Sequence, residues 1–178
     1  QSVDAADYYH LICSGTGTKT AIADFGIKGD FTDNGMFNPA TYHVTFSSNA
    51  VAQTIAGSSG TTFYALTIDN AGGGVTINNP VVVSNQLTLT NGIVTASSLL
   101  TINSGATSNS GTSNSYVTGG PMKKIGNQDF TFPVGDGAIW APIELSGWTA
   151  GDATTVFEAR YNDATPTDNA RMYRWNPS

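Results

Sequence analysis

The stretch Phe63–Gly92 reads FYALTIDNAGGGVTINNPVVVSNQLTLTNG, and its reading decides the fold. Thr62 to Ile68, Val75 to Ile77, Val81 to Val83 and Gln86 to Thr90 are short runs of alternating or β-branched residues. Such runs suit a pleated, half-buried surface and lack the 3.6-residue period of an amphipathic helix. Gly and Asn split them: Gly72–Gly74 reads as a turn between coils, and Asn91-Gly92 supplies the positive φ angles that tight turns need.

The same pattern recurs on both sides of this stretch. Tyr8 to Cys13, Thr41 to Phe46, Val51 to Ile55, Ile93 to Thr95, Leu99 to Ile102, Phe130 to Val134 and Thr154 to Tyr161 read as strands. Their centres lie roughly 8 to 12 residues apart, the spacing of sandwiches, barrels or solenoids. Asn34-Gly35 and Asp136-Gly137 read as further tight turns. Tyr8–Cys13 also aligns with Phe63–Ile68, since each is an aromatic pair followed by a strand and a small-residue turn. A shorter frame joins Leu87-Thr88-Leu89-Thr90-Asn91-Gly92 to Leu100-Thr101-Ile102-Asn103-Ser104-Gly105. The expected class is therefore all-β: a β-solenoid-like stack of short strands with a small C-terminal β module, or alternatively a β-sandwich.

Composition narrows the partners. Of 178 residues only 11% are charged, against roughly a quarter in an ordinary soluble domain. No Lys or Arg stands between Lys28 and Lys123, and no Asp or Glu between Asp69 and Asp129. Binding to nucleic acid or to an anionic membrane surface needs clustered Lys and Arg, so neither is expected. Nor is membrane insertion, because Ser, Thr, Asn or Gly interrupts every apolar run. Three Trp, seven Tyr and eight Phe with a net charge of only -6 argue for a folded chain. The lone Cys13 sits in an apolar run and reads as core. Around Pro121 the composition shifts: Lys123, Lys124, all three Arg, both Glu and all three Trp lie downstream. The expected organisation is a repeat region over residues 1–120 and a C-terminal β cap or half-sandwich over 121–178.

Few residues point to chemistry. His10 and His43 have no His, Cys or carboxylate at ligand spacing, and the serine elbow GxSxG is absent. Gly72–Gly74 leads into a strand rather than a helix, so a turn is preferred to a phosphate cradle. Asp30, Asp33 and Asn34 partly match a calcium loop, but Thr41 occupies the place of its bidentate Glu; a side-chain-capped turn is expected, with structural calcium as the alternative. Glu144 and Glu158 are the only Glu, and Glu158 alternates with Val156 and Arg160 on a face that reads as exposed and locally paired. No catalytic residue, metal or cofactor is expected. The aromatic residues Trp140, Trp148, Tyr161, Tyr173 and Trp175 are the expected ligand or subunit contacts, since Trp and Tyr both stack on sugars and anchor protein contacts.

Several of these segments carry a family resemblance. Phe63–Asn70, Val75–Val81 and Leu87–Val94 resemble the repeats of large secreted surface proteins of Bacteroidota. So do Asn114–Gly126, Phe130–Gly137 and Ala141–Ile143. The resemblance spans roughly residues 8 to 161 and implies a β-solenoid passing into a small β module, in adhesin-like extracellular proteins exported by type IX secretion. It implies no enzymatic activity and no catalytic residue. Relatives of that kind are usually longer and end in a sorting domain, whereas this sequence runs from Gln1 to Ser178. A fragment, or a mature subunit cut by a signal peptidase and freed of its sorting tail, is expected.

The expected function is thus a non-enzymatic structural protein of the cell surface. It would self-assemble head to tail into a filament or adhesive stalk, because open strand edges pair with further chains and heterologous contacts do not close. A carbohydrate-binding adhesin module using the C-terminal aromatics, with glycans as partners, is the alternative.

Overall fold

The computed structural model describes residues 1–97, 99–147 and 152–163. Among them the chain is all-β, without a helix, and its parallel strands stack into a β-solenoid of about six turns. Each turn visits three faces. The first is a column running from Leu11–Ala21 through Phe31–Asn38, Gln53–Gly57, Val75–Ile77 and Val94–Thr95 to Val117–Thr118, ending on a bridge from Val117 to Val134. On the second face Ser2–Val3 pairs with Thr20 and Ala21, and higher in the stack Thr61–Asn70, Val81–Asn91, Leu100–Ile102 and Met122–Ile125 follow one another. The third holds Asp7–Tyr8, Phe25–Ile27 and His43–Ser48, then the second halves of the two long strands, and Thr107–Ser108. Register shifts between Ser14 and Thr18, and between Val83 and Gln86, bend long strands so that one strand serves two faces.

Stacked residues are separated by 17 positions, as from Val117 to Val134, up to 24, as from Phe31 to Ile55. The internal similarities in the sequence are therefore not the stacking period. Tyr9 and His10 form a corner between two strands, whereas Phe63 to Ile68 lie within one. Leu100 stands beside Val81 rather than Leu87. Asn34-Gly35, expected as a turn, lies inside the strand Phe31–Asn38. Gly35 sits where the chain bends past the previous turn, and a Cβ there would stand 2.9 Å from the Gly15 carbonyl oxygen. Gly92 and Gly137 do adopt positive φ, as the other two turn signals require.

Parallel stacking in register puts like residues above one another. Val44, Leu66 and Leu87 form one buried ladder, and Phe46, Ile68 and Leu89 the next. Full burial of each such side chain contributes roughly 1.5–3 kcal/mol. Phe31, Phe46 and Phe63 are wholly buried and, with Phe37, pack with ring centroids 5.3 to 6.5 Å apart. Cys13 is fully buried at one end of this core. Outward positions stack too: Thr54, Thr76, Thr95 and Thr118 form one row, and Thr45, Thr67 and Thr88 another. Strands lie about 4.8 Å apart. A charge in such a row would face its like at that distance, so neutral Thr accounts for the scarcity of charge in the middle of the chain.

The junction expected at 120/121 falls inside the last turn, since both Val117–Thr118 and Met122–Ile125 extend parallel columns. Apart from an antiparallel bridge between Thr112 and Ser115, antiparallel pairing among the described residues comes afterwards, in Phe130–Phe132 with Ile143–Leu145, Gly135–Asp136 with Ile139–Trp140, and Val156–Ala159 against Met122–Ile125.

Candidate functional site

The two ends of the stack differ. At the C-terminal end the inward ladder Phe63, Val83, Ile102 continues to Lys124, which is only 1% exposed. Its ammonium donates to the carbonyls of Asn103 at 2.8 Å and Ala106 at 3.0 Å, and lies 5.4 Å from the centre of the Phe130 ring. Burial pushes the Lys124 ammonium below its ordinary pKa. Sequence reasoning counted Lys124 only as a basic residue. The available signal was its two-residue spacing from Met122, which puts both on one strand face.

Of the five expected contact residues, Trp140 and Tyr161 are described; Trp148, Tyr173 and Trp175 lie outside the described residues. Trp140 is 38% exposed, and its Nε1–H donates to the Ser110 carbonyl at 2.9 Å, which fixes the ring against the stack. It sits opposite Gly135, where a Cβ would stand 2.7 Å from the Tyr116 ring. Tyr116 is buried and its hydroxyl donates to the Gly137 carbonyl; burial first, and then Asp136, push its pKa up. Tyr161 packs against the core, and the backbone N–H of Asp163, two residues on, donates to the Asp136 carboxylate at 3.0 Å, tethering this segment to the Trp140 hairpin. Beside that hairpin an open groove of about 540 Å³ runs along the corner between the third and first faces. Asn91, Ser113, Asn114 and Gly137 are among its lining residues, none of which is charged.

Glu144 and Glu158 belong to different strand pairs, Glu144 opposite Thr131 and Glu158 opposite Lys123. The Glu158 carboxylate accepts from Lys123 Nζ at 3.2 Å. Asp30, Asp33 and Asn34 do not gather round one point. Asp33 is buried and accepts from Gly35 N–H and Thr61 Oγ1; the more exposed Asn34 accepts from Ser58 N–H, and Asp30 from Thr54 N–H. Each therefore ties its own turn to the next. Among the described residues no group of three or more His, Cys, Asp or Glu is placed to hold a metal ion.

At the N-terminal end the first turn leaves a groove of about 300 Å³, lined among others by Val3, Tyr8, Leu11 and Cys13. Tyr9 and Ile12 stand on its turn, each 63% exposed. Cys13 itself is unreactive in character: burial foremost, then Asp33, push its thiol up to about 11, against a smaller downward pull from Lys19.

No family model, curated protein or solved structure matches this chain. The likeness to secreted Bacteroidota surface proteins rests on the quoted segments alone.

Proposed function

We propose that this chain is a non-enzymatic structural module of an extracellular, cell-surface filament or adhesive stalk, built by head-to-tail association of its solenoid. The carrying observation is where apolar surface is left uncovered. Among the described residues nine large hydrophobic side chains are exposed, and six of them belong to the ends: Tyr9 and Ile12 on the first turn, and Ile139, Trp140, Ile143 and Val156 on the cap. Exposed apolar surface gathered at two opposite ends favours end-to-end contact, and such a contact repeats without closing. The neutral Thr rows along the sides fit a shaft better than a cleft for chemistry, and Glu158 is engaged by Lys123. Type IX export and the surface location follow from the sequence resemblance and are part of the same proposal.

Sedimentation and negative-stain microscopy of the purified chain at rising concentration test this reading. Growing linear particles are expected; monomers at every concentration would overturn it. A second reading, a glycan-binding adhesin, draws on the half-exposed Trp140 ring beside the uncharged 540 Å³ groove. Glycan-array binding that Trp140→Ala abolishes would support it, and an array without signal would remove it.

A further inference from the structure

The geometry points to a specific joint: the outer edge of Leu11–Ser14 in one copy receives the cap strand Val156–Ala159 of the next, antiparallel, with Cys13 opposite Phe157. This rests on the head-to-tail reading above and names the surfaces that would meet.

Leu11–Ser14 opens the first face; Ser2–Val3 pairs with the outer side of the same long strand only at Thr20 and Ala21, so among the described residues no strand pairs with the outer side of Leu11–Ser14. The Leu11 N–H donates to the Asp30 carbonyl at 3.0 Å. In a parallel pair, alternate residues bond to alternate sides, so Leu11 and Cys13 bond inward to the second turn while the N–H and C=O of Ile12 and Ser14 point away from it. A groove of about 300 Å³, lined by Gln1, Ser2, Ser14 and Lys19 as well as by Val3, Leu11 and Cys13, lies along this edge, where a preceding strand of this face would run.

The cap offers the counterpart. Gly126 N–H donates to the Thr155 carbonyl at 2.8 Å, and Lys124 pairs with Phe157. The backbone groups of Thr155, Phe157 and Ala159 therefore face the stack, and those of Val156 and Glu158 face outward. Phe157 and Ala159 share the inward face with their partners Lys124 and Met122. Val156 is 53% exposed.

One antiparallel register satisfies both edges. Ile12 then pairs with Glu158 and Ser14 with Val156, exchanging the outward backbone bonds. The inward side chains fall in line as well, Cys13 on Phe157 and Leu11 on Ala159, which extends the core across the joint. A one-residue slip would set outward bonding groups against inward ones and apolar faces against solvent. Both complementary edges belong to the same chain, so the occupant is a second copy.

Disulfide trapping tests this in the full chain carrying Cys13→Ala. Ser14→Cys combined with Val156→Cys is expected to give a ladder of covalent oligomers on a non-reducing gel, because directly opposed strand residues lie within disulfide reach. The out-of-register pair Ser14→Cys with Glu158→Cys is expected to give little. Linear assembly by the unsubstituted chain without a ladder from the first pair would overturn the joint and leave the filament reading standing. Equal trapping of the second pair would do the same, as would preferential trapping of Ser14→Cys by Tyr173→Cys, which would give the slot to the C-terminal tail. A chain that never assembles would overturn both.

Discussion

The Lys124 ammonium and the Asn103 carbonyl, 2.8 Å apart, close the top of a ladder that is otherwise Phe63, Val83 and Ile102. Lys124 also holds Ala106, so one side chain satisfies two carbonyls of the preceding turn where the parallel stack gives way to antiparallel pairing. Lys124→Met keeps the stem and removes the donor. Its expected cost is about 1–3 kcal/mol, the desolvation penalty of the Ala106 carbonyl, because the Asn103 carbonyl keeps the Ala106 N–H at 3.1 Å; it is read as a lower urea midpoint.

The same residue sets a pH dependence. Burial lowers the Lys124 pKa from 10.5, so the unfolded chain binds this proton more tightly than the folded one. Its contribution to stability therefore rises with pH through the window below 10.5 and levels off above it. Urea titrations from neutral pH up to the ordinary lysine pKa should show that upward component in the native sequence and its loss in Lys124→Met.

Gly92 has φ +88°, and a Cβ there would stand 2.1 Å from the Asn70 carbonyl of the neighbouring turn. Gly105 has φ +76° with open space around it. Gly105→Ala is expected to cost about 1 kcal/mol, the strain of a left-handed backbone alone. Gly92→Ala adds a clash with backbone and should cost several-fold more. Thermal melts of the two variants side by side check the contrast.

Gln53 is wholly buried and donates to the carbonyls of Ile27 and Gly29 at 2.8 and 2.7 Å, while its Oε1 accepts from Asn70 Nδ2 at 2.9 Å. It thus joins three successive turns. Gln53→Leu should cost about 2–4 kcal/mol by orphaning those groups. Combined with Asn70→Ala it should cost less than the sum, with a coupling of about 1 kcal/mol in a double-mutant cycle.

Thr76 and Thr95 are stacked neighbours on the first face. If neutrality there avoids repulsion between turns, Thr76→Lys with Thr95→Lys should be less stable than Thr76→Lys with Thr95→Glu by about 0.5–1 kcal/mol at low salt. The gap should narrow as salt is added.

The all-β class, the solenoid and most strands of the middle turns were legible because alternation survives wherever one strand face is buried and the other wet. Cys13 as core and Glu158 as a paired, exposed carboxylate were legible for the same reason. Phe31–Asn38 was not, because Asp33, Asn34 and Gly35 carry turn chemistry in isolation. Buried Asp33 instead meets Thr61 of a later turn, and Gly35 makes room for an earlier one. The candidate sites were legible only in part. Trp140 was found by residue type, whereas the N-terminal groove is lined by residues such as Val3, Tyr8, Leu11, Cys13 and Ser14, which read individually as ordinary strand residues.

The sequence by itself determined that this chain forms short strands with one apolar face and almost no charge along its middle, since both properties reside in local residue order. Only the tertiary structure decided which residues stand above one another. Turns of 17 to 24 residues share no fixed spacing, so the neighbours of Phe31, Gly92 or Lys124 are set by packing between turns rather than by any period along the chain.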